Sequence, residues 1–260
     1  LLPTSVREPV PVLTTAAYLS LLDIGTGARD FPRLRSGDLL QDGKRIQLFW
    51  HALGLIAFGL LSLMLTGSLL LTTAVVLFSD ALFFTPRVDL HYTELHAAAL
   101  MGWIAVFGLA AVRAGGKGRR VLALLATGAA LAALSLTKSL YFYGIPVFAG
   151  GLALAMYWQA RRERIAGPDI VQPLRRALLG ATLVTLSAGL LTSPWLLRNQ
   201  LVMGTLSLSE GRSGWVMHKR SLLNTLSNEQ RLGAFVLYTP DGLREVLGAL
   251  GLQADPPSYL

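Results

Sequence analysis

Residues 93–137 read TELHAAALMGWIAVFGLAAVRAGGKGRRVLALLATGAALAALSLT, an apolar run entered at Glu94, a cluster of Arg113, Lys117, Arg119 and Arg120, and a second apolar run to Thr137. A helix needs about 20 predominantly apolar residues to cross the hydrocarbon core of a bilayer. The stretch therefore predicts two membrane spans, 93–113 and 121–137, joined by a short basic turn. Working outward, 46–65, 68–84, 139–158 and 177–197 have the same character, which makes six spans. The whole 260-residue chain agrees: 53% of its residues are hydrophobic, 15% are charged and the mean hydropathy is +0.52, a balance that excludes an ordinary soluble globule. The expected fold class is all-α, a polytopic membrane helix bundle with interfacial outer segments.

Charge then orients the bundle. Segments 113–120 and 161–176 together carry nine Lys and Arg against Glu163 and Asp169. Such loops are retained in the cytoplasm. Two spans lie between them, as alternation requires. The Thr66-Gly67 turn falls on the same side, and residues 1–45, 85–92, the Thr137-Lys138 junction and the tail from Arg198 fall outside. Lys44-Arg45, just before the first span, is the one pair that runs against this pattern. The net charge of +8 invites a nucleic-acid reading, but the cations sit in loops between apolar runs and form no single basic stripe, so no nucleic-acid partner is expected. Zero cysteines exclude disulfides, Cys-based zinc sites and thiol catalysis. A signal peptide is excluded because the apolar runs are internal, long and numerous; the chain opens Leu1-Leu2-Pro3, which suggests an N-terminal truncation.

The organisation that follows is a remnant of an outer loop with interfacial helices over 1–45, a transmembrane bundle over 46–197 and an extracytoplasmic segment over 198–260. Each flank has six basic and five acidic residues with Gly and Pro interspersed, the composition of ordered interfacial or soluble pieces. No inverted-repeat pair of broken helices stands out.

Ionisable residues at or inside a span are expensive and hence functional candidates. The outward set is Arg7, Glu8, Asp89, His91, Glu94, Lys138 and Arg198. Glu94 has two readings: a base or cation-stabilising carboxylate, or a helix-start residue placed against the macrodipole. His91 lies three positions before it, a spacing that leaves a divalent metal open without defining a site; the sequence otherwise demands no cofactor. His96 falls on another face and reads as a packing residue. Lys138 either binds a lipid phosphate as a point charge or snorkels to headgroups. Asp80, inside the second span close to its outer end, reads as a buried helix–helix hydrogen-bonding group, with a substrate contact as the alternative. Ser193-Pro194-Trp195-Leu196-Leu197-Arg198-Asn199 ends the last span: Pro stops or kinks the helix, Trp anchors it, and Arg offers a bidentate donor to phosphate or carboxylate, or the whole is a plain membrane exit.

These pieces occur in a familiar order. Arg7-Glu8-Pro9-Val10-Pro11, Tyr92-Thr93-Glu94-Leu95, Leu136-Thr137-Lys138, Pro194-Trp195-Leu196-Leu197-Arg198-Asn199 and the polar Leu206–Gly214 stretch resemble the ordered motifs of integral-membrane GT-C glycosyltransferases, the relatives of protein O-mannosyltransferases and aminoarabinose transferases. The resemblance covers most of the chain. It implies a polyprenyl-phosphate sugar as donor, membrane lipid as surroundings, Glu94 and Asp89 as catalytic carboxylates, and Arg7, Glu8, Lys138 and Arg198 as substrate-binding residues. Sugar, acceptor and oligomeric state stay open. Family members carry an Asp-bearing loop after a first span, upstream of where this chain starts, so the resemblance also implies a fragment, inactive alone. Ser139 stands where Pro or Gly often follows the Lys, and the second proline of the first motif comes one residue early. The rival reading is a non-catalytic transporter or flippase subunit for an anionic lipid.

Overall fold

The computed structural model describes residues 9–21, 44–85, 93–163 and 171–208. Two compact units divide the chain, Leu1–Ser209 and Glu210–Leu260, and all described residues belong to the first. They form an all-α bundle. Its seven α-helices, counted among the described residues, are α1 (Pro9–Leu21), α2 (Ile46–Thr66), α3 (Leu69–Ser79), α4 (Glu94–Arg113), α5 (Lys117–Ser135), α6 (Ile145–Glu163) and α7 (Val171–Met203). A π-helical turn, Asp80–Phe84, continues α3, and a 3-10 turn, Ser139–Phe142, precedes α6.

Local chemistry explains the turns. Gly67 ends α2 with φ +66°, its N–H donating to Leu63 O at 2.8 Å, and Ser68 opens α3 by accepting from the Leu71 N–H. A left-handed glycine followed by a hydroxyl N-cap is a compact way to reverse a helix. Where α4 meets α5, Arg113 donates to Met64 O at the end of α2, and Arg120 to Ala114 O at 2.6 Å. Those two cations satisfy carbonyls that helix ends leave open.

α5 is central, packed between α4 and α7; α2 covers the far side of α4, α3 lies against α2, and α6 leans on α7. Small residues set these contacts. A Cβ on Gly128 of α5 would stand 2.7 Å from Val184 O and 2.6 Å from Ser187 Cβ of α7, and one on Gly102 of α4 would meet Ala57 Cβ of α2 at 2.9 Å. Close backbone approach through small residues is how helices pack when lipid removes the hydrophobic drive between them. Phe84, fully buried, sits over Gly54 between the rings of His51 and Phe58.

Four helices are long and apolar enough to cross a membrane: α2, α4, α5 and α7. Their outward faces carry bare apolar side chains, with Leu65 of α2 60% exposed, Leu122 of α5 69% and Leu190 of α7 73%. A surface of that kind belongs in lipid, and the chain is a membrane protein. The two remaining expected spans fall short of that measure. α3 has 11 residues before its five-residue π turn, and the expected span from 139 opens on a separate 3-10 turn, so that α6 begins only at Ile145 and already carries Arg161 and Arg162 in its last turn.

Three expectations are corrected. Lys117–Arg120 is the first turn of α5, whereas a loop was expected. The last span starts at Val171, so Arg175 and Arg176 are helical. Pro194 neither stops it nor ends it near 197; α7 runs on to Met203 over 33 residues, roughly 50 Å at 1.5 Å per residue. The reason lies in side chains. Pro194 has no N–H for Leu190 O, and the Ser193 hydroxyl donates to that carbonyl at 2.8 Å instead. Hydroxyl rescue of a freed carbonyl is what lets proline stand inside a membrane helix.

Candidate functional site

Antiparallel traversal brings the start of α4, the end of α5 and the far end of α7 to one end of the bundle, and Arg113, Lys117, Arg119, Arg120, Arg161, Arg162, Arg175 and Arg176 to the other. The first end holds the candidate site. α5 closes with Thr137, whose hydroxyl donates to Ala133 O at 2.7 Å while its N–H and that of Lys138 turn back to Leu134 O. Lys138 is then extended, at φ −143° and ψ 111°. That break in the helix swings its ammonium across to α4, where Lys138 Nζ meets Glu94 Oε1 at 2.7 Å. Two residues 44 positions apart, each singled out in the sequence, form a charge-assisted hydrogen bond. The pair stays accessible, with 31% of the Lys138 and 44% of the Glu94 side chain exposed. Glu94 is the first residue of α4, as its helix-start reading expects, and it is also the partner of the Lys138 ammonium.

The Val10 N–H of α1 donates to Leu136 O at 3.2 Å, which docks the start of that helix on the same junction. Arg7, Glu8, Asp89 and His91 lie outside the described residues. Among the described residues no group of three or more His, Asp or Glu could hold a metal ion.

Arg198 lies at the same end. Ser187 of α7 meets Gly128 of α5, and Arg198 and Lys138 both follow that crossing toward the same end. The Arg198 guanidinium stacks on Trp195, 4.5 Å from the ring centroid, and donates to Asn199 Oδ1 at 2.8 Å. Asn199 Nδ2 donates to Ser207 O at 2.6 Å, and Trp195 Nε1 to Leu208 O at 3.1 Å. The Pro-Trp-Leu-Leu-Arg-Asn segment thus ties down the chain that returns after Gly204, which turns at φ +73°. An arginine has five N–H donors in a fixed fork, and stacking leaves its edge able to meet an anion.

Asp80 links two helices as expected, but it is not buried, with 37% of its side chain exposed. Its Oδ1 takes a hydrogen bond from Thr85 Oγ1 at 2.8 Å across the π turn and pairs with His51 Nε2 of α2 at 2.7 Å. Reasoning from sequence missed His51, although an imidazole five residues inside an apolar run is itself a signal. His96 is 2% exposed and lies over Trp50 with ring centroids 4.6 Å apart, a packing position.

Compared with known protein families, curated proteins and solved structures, the chain gave no match.

Proposed function

We propose that this chain is part of an integral-membrane glycosyltransferase, of the kind its motifs resemble, that moves a sugar from a polyprenyl phosphate to an acceptor on the outer face of a bacterial inner membrane. The observation that carries the reading is the ammonium of Lys138, held by Glu94 at an accessible end of the bundle, the end toward which α7 carries Arg198, stacked on Trp195. In the reaction the bond from sugar C1 to the phosphate oxygen breaks with its electron pair leaving on phosphate, while the acceptor's nucleophilic atom bonds to C1. C1 passes through oxocarbenium character. Lys138 and Arg198 stabilise the charge gathering on the departing phosphate. That leaving group is already anionic, so a strong general acid is not needed. Glu94 fixes the ammonium, and the proton of the acceptor goes to a carboxylate, either Asp89 or the upstream aspartate that the resemblance supplies. Sugar C1, phosphate and cations fit at a membrane boundary because the polyprenyl tail stays in lipid.

The test uses the complete protein: transfer from a polyprenyl-phosphate sugar and thermal stability after extraction, for wild type and Glu94→Gln. Expected is a loss of transfer of at least about ten-fold, the value of one charge-assisted contact, with stability unchanged. Normal transfer by Glu94→Gln returns Glu94 to a helix-start residue; binding of the donor without any transfer by wild type favours a lipid-carrying subunit.

A further inference from the structure

The opposite, basic end of the bundle is not uniform. Arg113 is spent on Met64 O, Arg120 on Ala114 O, and Arg161 on Tyr157, donating to its hydroxyl at 3.2 Å and lying over its ring. Arg162 and Arg175 are placed differently. Both are exposed, and each lines a shallow, open groove along the face of its own helix. The α6 groove, about 510 Å³, is formed by Ala155, Trp158, Gln159 and Arg162. The α7 groove, about 360 Å³, runs from Val171 and Arg175 past Leu178 and Leu179 to Thr182.

We infer that these grooves bind anionic phospholipid, the headgroup phosphate accepting from the guanidinium of Arg162 or Arg175 and an acyl chain lying along the apolar floor. Three features select that occupant. The floor from Arg175 to Thr182 extends roughly 10 Å along the helix, so anion and hydrocarbon must be joined in one ligand. A free anion would leave the leucines bare. Arginine's planar fork matches phosphate bidentately, where a lysine would offer only a point charge. Trp158, 57% exposed on the Arg162 groove, is an amphipathic ring of the type that sits at headgroup depth. The whole end is positive: among the described residues it holds eight Lys and Arg against Glu163 alone, so zwitterionic headgroups gain less there than anionic ones. The inference is independent of the glycosyltransferase reading, since it concerns the other end of the bundle.

The experiment measures binding of phosphatidylglycerol and of phosphatidylcholine with the same acyl chains to the purified full chain in detergent, by native mass spectrometry and by thermal shift, with sodium phosphate as a further arm. Expected is preferential binding and stabilisation by phosphatidylglycerol and none by sodium phosphate. Arg162→Gln combined with Arg175→Gln should lower that preference by about ten-fold or more per arginine, as loss of a hydrogen bond to a charged group requires, while Lys117→Gln with Arg119→Gln, away from the grooves, should lower it by no more than the about five-fold per charge of the general surface field. Equal binding of the two lipids by wild type overturns the inference. So does a preference retained by the groove double variant, or by both single groove variants should the double variant fail to fold.

Discussion

Lys138 and Ser193 show how single side chains decide what this bundle can do. The Lys138 ammonium reaches Glu94 because Thr137 closes α5 and leaves the next residue extended; a further helical turn would have carried the ammonium away from α4. With both side chains about a third or more exposed, the pair contributes at most about 1 kcal/mol to stability. A double-mutant cycle of Glu94→Gln and Lys138→Met on the extracted protein should therefore give a small coupling, and one above roughly 3 kcal/mol would show a buried structural pair. Ser193 is the opposite case, a residue with no part in the site whose hydroxyl takes over the carbonyl that Pro194 frees. Ser193→Ala should lower stability by about 1 kcal/mol, and restoring the backbone donor with Pro194→Ala in the same chain should recover it. If the two changes simply add, the hydroxyl is not what carries the helix through the proline.

Among elements, the α5–α7 crossing sets a glycine against the backbone of the neighbouring helix and offers the sharpest packing test. Gly128→Ala places a methyl group within 2.7 Å of a backbone oxygen, which has nowhere to go. The expected cost is about 1–3 kcal/mol from overpacking, read as a lowered melting temperature. Gly150→Ala in α6 meets nothing within 4 Å and should be neutral or stabilising by up to about 1 kcal/mol, the gain in helix propensity. Equal effects of the two substitutions would contradict the packing described. The same elements mark what the sequence could and could not convey. Long charge-free runs announce α2, α4 and α5, because hydrocarbon excludes charge along the whole helix. The ends of α7 were not readable from hydropathy: its first turns carry Arg175 and Arg176, and its passage through Pro194 depends on a hydroxyl one residue earlier. α3 and α6 looked like full spans because apolar content says nothing of where a helix changes to a π or a 3-10 turn. At the site, Glu94 and Lys138 were visible singly, as charges at span ends, but their contact depends on the order in which helices pack. His51 pairs with Asp80 across α2 and α3, a partnership invisible along one strip of sequence.

Taken as a whole molecule, the bundle separates two chemistries by the length of its helices: a basic end, and an end that carries the Glu94–Lys138 pair and, on α7, the guanidinium of Arg198 stacked on Trp195. The positive-inside tendency predicts that the basic end faces the cytoplasm. With no native cysteine in the chain, a cysteine at Gly116, in the open turn between α4 and α5, should escape an impermeant maleimide added to intact cells and react once the membrane is permeabilised; labelling from outside inverts the topology and takes the proposed donor site to the wrong face. Whether the Lys138 end receives a lipid phosphate is the central claim, and binding tests it without requiring turnover. The measurement is the affinity of the purified chain in nanodiscs for a polyprenyl monophosphate and for the uncharged polyprenol of the same length, in wild type and Lys138→Met. Expected is a clear preference of wild type for the phosphate, falling by about ten-fold or more in Lys138→Met, as loss of a hydrogen bond to a charged group requires, with affinity for the polyprenol unchanged. Equal affinity of wild type for the two lipids, or a folded Lys138→Met that keeps the preference in full, would contradict it.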